Sequence, residues 1–100
     1  MTHEHPTKVI FRTFLHTHEV IALFPEEPAS SNPDECLSYL RVGQHGAADY
    51  SYVISQSRPA THQELAPLHN ELSLIGYVLH TRHRATLKMR SNRIYNIVDG

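Results

Sequence analysis

The chain has one cysteine, Cys36. A single thiol forms no internal disulfide, so the fold does not rely on an oxidising compartment, and a cytoplasmic location is the simple expectation. Long apolar runs are missing too. A run such as Val20 to Pro25 is far short of the roughly 18 residues a membrane helix needs, so no membrane is expected among the partners. Met1 to Thr7 is polar and carries His3 and His5, without the apolar stretch of a secretory signal. Neither sign of charge is in excess: nine Lys and Arg stand against ten Asp and Glu, for a net charge of −1 with His neutral. No strong global field therefore draws a polyanion. There is no P-loop, no dinucleotide-binding glycine pattern, no zinc-binding cysteine pair, no nucleophile elbow and no internal repeat. These absences leave no expected cofactor.

What is present suffices for one core. At 100 residues the chain has the usual size of one domain. With 40% apolar and 19% charged residues it has the composition of a globular protein. Residues 1–7 are expected to be a flexible N-terminus and 8–98 a single domain. Nine histidines make the net charge sensitive to pH between about 5 and 7. Glu26, Glu27, Asp34 and Glu35 gather in one segment, whereas Arg82, Arg84, Lys88, Arg90 and Arg93 gather in another.

Lys8 to Leu15 reads as a strand from its β-branched and aromatic content, with Val9, Phe11 and Thr13 opposite Ile10, Arg12 and Phe14. After the polar break His16 to Glu19, Val20 to Phe24 is a second strand, so the two form an antiparallel hairpin. Pro25 to Glu35, rich in turn residues, reads as a loop. Leu37 to Val42 is a third strand, Gly43 to Asp49 a second loop, and Tyr50 to Ile54 either a short strand or a helical turn. Thr61 and Glu64 fit a capping box. Leu65, Leu68, Leu72 and Ile75 form one stripe of a helix over about 62–75, with Gly76 as its C-cap. Pro67 conflicts with that helix, at about 3 kcal/mol for an interior position. Tyr77 to Arg82 and Ala85 to Arg90 read as further strands, and Ile94 to Val98 as an apolar tail. The order implies an α+β fold: an antiparallel sheet with one helix packed on one face.

The segment Gly43-Gln44-His45-Gly46-Ala47-Ala48-Asp49-Tyr50 is the most site-like. Its glycines allow positive φ, Gln44 donates and accepts hydrogen bonds, His45 exchanges a proton near neutral pH, and Asp49 could orient its imidazole. Tyr39 and Arg41, on one face of the preceding strand, could add a ring and a positive charge. A plain structural turn competes with this site. His16 and His18, two apart, are weak metal-ligand candidates beside a solvated turn, and no metal is expected. His3 could bind copper or nickel only with Met1 retained. Cys36 reads as a small apolar residue at a strand start.

From about Lys8 to Tyr77, with Val42 to Tyr50 and the Thr61 to Gly76 helix as its most distinctive parts, the chain resembles a family of small uncharacterised bacterial proteins. The resemblance covers two thirds of the chain and implies a bacterial single domain; it carries no catalytic residue over to this chain. The leading expectation is a non-enzymatic binding or interaction module, with a protein partner or a homo-oligomer through an exposed sheet edge. The alternatives are a small His-dependent or metal-assisted enzyme using His45 and Asp49, and a nucleic-acid-binding domain using Arg82 to Arg93. The near-neutral charge weighs against the last.

Overall fold

The computed structural model of the protein describes residues 6–41 and 43–99. Strand β1 (Thr7–Phe14) and β2 (Val20–Pro28) form the expected hairpin, with Phe11 opposite Ala22. His16, Thr17 and His18 sit exposed at its turn, where His18 adopts φ 62°. Strand β3 (Glu35–Leu40) follows, then β4 (Gln44–Asp49), α1 (Tyr50–Ser55), β5 (Ser57–Pro59), α2 (His62–Ile75), β6 (Leu79–Arg82) and α3 (Leu87–Asp99). The N-terminal segment expected to be flexible is partly fixed: the Thr7 N–H donates to the Val78 carbonyl at 2.7 Å. Residues 1–5, His3 among them, lie outside the described residues.

The sheet has the order β4-β3-β2-β1-β5, and β6 also pairs with β1. Every neighbouring pair along that order is antiparallel, whereas β6 runs parallel to β1. β6 covers Thr7 to Ile10 and β5 covers Arg12 to Phe14. The two short strands thus lie end to end along one side of β1.

The expected α+β class holds, but three helices accompany the sheet rather than one. Period-two alternation splits the core between two faces. On the first face Val9, Phe11, Ala22, Phe24 and Tyr39 meet Leu68 and Leu72 of α2. On the second, Ile10, Ile21, Leu23, Cys36 and Ala48 meet Val53 of α1.

Helix α2 begins with the capping box read from the sequence: Glu64 N–H donates to Thr61 Oγ1 at 3.2 Å, and Thr61 N–H to Glu64 Oε1 at 2.8 Å. Glu64 also accepts from Thr13 Oγ1 at 3.0 Å and from both Arg58 Nη atoms, at 2.8 and 2.6 Å. One carboxylate therefore ties the helix start to β1 and β5. Arg58 first, then the Thr61 amide, hold this carboxyl well below the usual carboxylate range. Pro67 sits inside the helix on an exposed face, with Gln63 one turn before it also exposed. The Gln63 carbonyl deprived of its donor is thus open to water. Leu68 and Leu72 are fully buried and Leu65 is partly buried. Ile75 departs from the expected stripe: in the last turn, just before the Gly76 cap, it is 53% exposed.

Two segments differ in kind from the sequence reading. Gly43 to Asp49 is a strand from Gln44 onward rather than a loop, because its backbone completes an uninterrupted ladder with β3. Ala85 to Arg90 is not a strand. It leads into α3, whose start is capped by the Thr86 hydroxyl accepting from Met89 N–H at 3.2 Å. The apparent loop from Pro25 is shorter as well, since β2 continues to Pro28 through a register shift of the kind that accommodates proline.

Helix α3 is fixed to the sheet mainly by polar contacts. Buried Arg93 donates through Nη1 to the Pro25 carbonyl at 2.7 Å, and through Nη2 and Nε to the Pro33 carbonyl at 3.1 and 3.3 Å. Asn92 donates to the Glu26 carboxylate at 2.7 Å, and Asn96 to the Glu26 carbonyl at 3.0 Å.

Candidate functional site at the β4 edge

β4 is the last strand on its side of the sheet, so half of its backbone polar groups have no strand partner. Which half follows from alternation. Tyr50 N–H, directly after β4, points inward to the Asp34 carbonyl at 3.1 Å, and the Gly46 carbonyl accepts from Ser38 Oγ at 3.0 Å. Gln44, Gly46 and Ala48 therefore direct their N–H and C=O groups to β3, and His45 and Ala47 direct theirs outward, as Asp49 does its N–H, while its C=O opens helix α1. The turn into the strand needs Gly43. It adopts φ 86°, a left-handed conformation that suits glycine, and donates its N–H to the Leu40 carbonyl at 3.0 Å.

Side chains on the two faces of this edge differ. On the α2 face, His45 lies among aromatic rings. Its ring centroid is 4.8 Å from Tyr39 in an edge-on arrangement, and Tyr77 stacks on Phe24 at 5.0 Å. His45 Nε2 lies 2.8 Å from the Tyr77 hydroxyl, so that nitrogen is engaged and Nδ1 is left for another partner. Tyr39 donates to Glu71 Oε2 at 2.6 Å, and Arg41 Nε lies 3.9 Å from Glu71 Oε1. The bond to Glu71 holds the Tyr39 proton and raises its pKa, while burial first and then Glu27 raise that of Tyr77. Both hydroxyls stay protonated at neutral pH and serve as hydrogen-bonding groups.

On the opposite face Gln44 borders a cleft of about 320 Å³ with Phe14, Ser38, Leu40, Tyr52 and Val53. A second cleft of about 300 Å³ shares Phe14 and Tyr52 and reaches His16 and Glu19 at the β1–β2 turn. Exposed Tyr52 stands between the two.

The structure thus brings Tyr39, Arg41 and His45 to one face of the edge and Gln44 to the other. Asp49 serves elsewhere: its side chain accepts from Tyr52 N–H at 3.0 Å and caps α1. The imidazole it was expected to orient is held by Tyr77, a residue whose role sequence spacing did not signal. No group of three or more His, Cys, Asp or Glu among the described residues could hold a metal, and His16 and His18 are solvent-exposed. The basic stretch is divided in use: Arg93 is buried on carbonyls, Arg90 lies 3.4 Å from Asp34, and Arg84 and Lys88 are exposed. Sequence reading also missed His62, His69 and His83, which line a cleft of about 650 Å³ between α2 and β6 with Leu65 and Thr81. The seven-residue spacing of His62 and His69 along one helix face was the available signal.

Among the described residues no helix is long and apolar enough to cross a membrane. Comparison with known proteins gives no matching family model, no matching curated protein and no matching solved structure.

Proposed function

We propose that the protein is a non-enzymatic interaction module that binds a partner chain by strand addition at β4, in the cytoplasm of a bacterial cell. The carrying observation is the free edge itself. Along β4 the outward N–H and C=O groups of His45 and Ala47 and the N–H of Asp49 meet no strand, and the strand carries no Pro, no Lys and no bulge. Those are the devices by which sheet edges are ordinarily blocked. The other side of the sheet has such devices: it is split between three-residue β5, ending in Pro59, and four-residue β6.

Strand addition takes affinity from main-chain hydrogen bonds and specificity from the pockets that receive alternate side chains. The His45 and Tyr77 cluster on one face and the Gln44 cleft on the other fit that division. Catalysis is less well supported. His45 is bonded to the Tyr77 hydroxyl, whose pKa is raised, and Asp49 caps α1 rather than orienting the imidazole. Engagement of Arg90 and Arg93 within the fold weakens the nucleic-acid reading. The single buried thiol of Cys36 supports the cytoplasmic location, and the resemblance supports the bacterial one.

Selection of linear peptides from a display library against nanomolar protein tests the reading. Selected peptides are expected to protect the amides of His45, Ala47 and Asp49 from hydrogen exchange and to lose binding to Ala47→Pro. Because the Ala47 N–H points outward, proline there removes a docking donor while leaving the ladder to β3 in place. Selected peptides that bind Ala47→Pro equally well, or that leave those amides exchanging freely, would overturn it.

A further inference from the structure

We infer that the strand added at β4 is β4 of a second copy of this chain, antiparallel to the first, about a twofold axis through Ala47. The inference rests on the strand-addition reading and specifies its partner and register.

The backbone selects the register. Only odd-numbered residues of β4 direct their N–H and C=O groups outward, and in an antiparallel ladder outward-facing residues must oppose one another. An axis through Ala47 sets Ala47 against its own copy and His45 against Asp49 of the second copy, in both directions. The outward N–H and C=O of His45 and Ala47 and the N–H of Asp49 then lie opposite the second strand, where the Asp49 carbonyl already starts the bonding of α1. An axis through Gly46 would set His45 against Ala47 and leave Asp49 without a partner in the strand. A twofold contact of this kind is self-complementary, as closed dimers require.

Side-chain chemistry agrees with the backbone. Residues opposite each other across a ladder share a face, so the register faces an imidazole with a carboxylate at both ends of the pairing. Each group has capacity left for the other. His45 Nε2 is taken by Tyr77 and Nδ1 remains, and Asp49 gives Oδ1 to the Tyr52 amide and keeps Oδ2. Between them stand Gly46, Ala47 and Ala48, so no bulky side chain in the middle of β4 keeps the strands apart. The groups around His45 are Tyr39 of β3, Tyr77, and, through Tyr39, Glu71 of α2 with Arg41 beside it. The pairing is short, so the association is weak and reversible.

The test combines sedimentation equilibrium across the micromolar range with site-directed cross-linking. The wild type is expected to pass from monomer to dimer with concentration, and Ala47→Pro to remain monomeric with an unchanged fold by circular dichroism. Under mild oxidation Ala47→Cys is expected to form a covalent dimer, since paired strands bring opposite Cα atoms to about 5.5 Å, within disulfide range. Gln44→Cys, which opposes no copy of itself, is expected to stay monomeric. Cys36 does not interfere, because burial pushes its thiol up to about 11. Asp49→Asn keeps an acceptor for the α1 cap but loses the charge, and should weaken the dimer several-fold. A wild type that stays monomeric throughout, a dimer indifferent to Ala47→Pro, or equal cross-linking of Ala47→Cys and Gln44→Cys would overturn the inference. Monomeric protein whose selected peptides still depend on Ala47 would overturn the second copy alone and leave strand addition standing.

Discussion

Replacing Arg93 by alanine should be among the most damaging single changes in α3. Arg93 is 2% exposed, and its guanidinium makes three N–H contacts to two carbonyls, those of Pro25 and Pro33. Pro25 is buried, so its carbonyl has no water to turn to once the arginine is gone. A hydrogen bond to a charged group contributes about 1.5–3 kcal/mol, and an orphaned buried acceptor costs about 1–3 kcal/mol. Because the lost bonds and the orphaned acceptor overlap, about 3 kcal/mol is the expected loss. For a domain of this size each kcal/mol moves the melting temperature by about 4–8 °C, so the midpoint should fall by roughly 12–24 °C. Thermal melting by circular dichroism measures it, with exposed Lys88→Ala as the control. Arg93→Lys should recover only part of the loss, since a point ammonium cannot span both carbonyls as the planar fork does. A shift for Arg93→Ala no larger than that of Lys88→Ala would show that α3 is not pinned as described, and would return Arg93 to the pool of side chains available to phosphates.

Leu72→Ala should cost about 2–5 kcal/mol, as for other fully buried leucines, whereas exposed Ile75→Ala should cost little; equal effects in denaturant titration would contradict the placement of α2. The Glu64 carboxyl is depressed in the folded state, so its contribution is complete above the unfolded value near about 4.3 and is lost as pH falls through the folded value. Stability of the wild type should therefore fall more steeply with acid below about pH 4 than that of Glu64→Gln, and parallel acid limbs would refute the network with Arg58 and Thr61. The buried Cys36 thiol, with its pKa raised to about 11, should react with maleimide only after unfolding; rapid labelling of native protein would contradict the packing of that face.

The elements legible in the sequence were those whose local signals and burial agree. The β1–β2 hairpin has apolar strands around a polar turn, and α2 has its capping box, its leucines and its glycine stop. Pro67 misleads only where water can satisfy the freed carbonyl. The two misread segments have physical reasons. β4 reads Gln-His-Gly-Ala-Ala-Asp, a composition of low strand propensity, and is a strand because β3 supplies the pairing. α3 is held to the sheet by Asn92, Arg93 and Asn96 beside buried Met89, while its apolar Leu87, Tyr95 and Val98 are exposed, so its polar docking face does not read as a core-facing helix. Of the residues singled out in the sequence as a candidate site, Tyr39, Arg41 and His45 share one face of the β4 edge, Gln44 lies on the other and Asp49 caps α1. The key contact of His45 was not legible, because Tyr77 is 32 positions from His45 and reaches it only through the fold.

The parallel pairing of β6 on β1 has a consequence for the order in which the molecule can form. Thr7 to Ile10 find their outer partner in Leu79 to Arg82, on the far side of β2, β3, β4 and α2 in the chain. Contacts of such sequence separation slow folding, because the intervening chain must be closed into a loop before the pairing gives any return. During synthesis β1 and β2 can zip as soon as both are outside the ribosome, but Thr7 to Ile10 keep one side unpaired until residues 79–82 have emerged, even after β5 has closed Arg12 to Phe14. For that interval the nascent sheet has two open edges, β1 and β4, and only the first is closed by the chain itself.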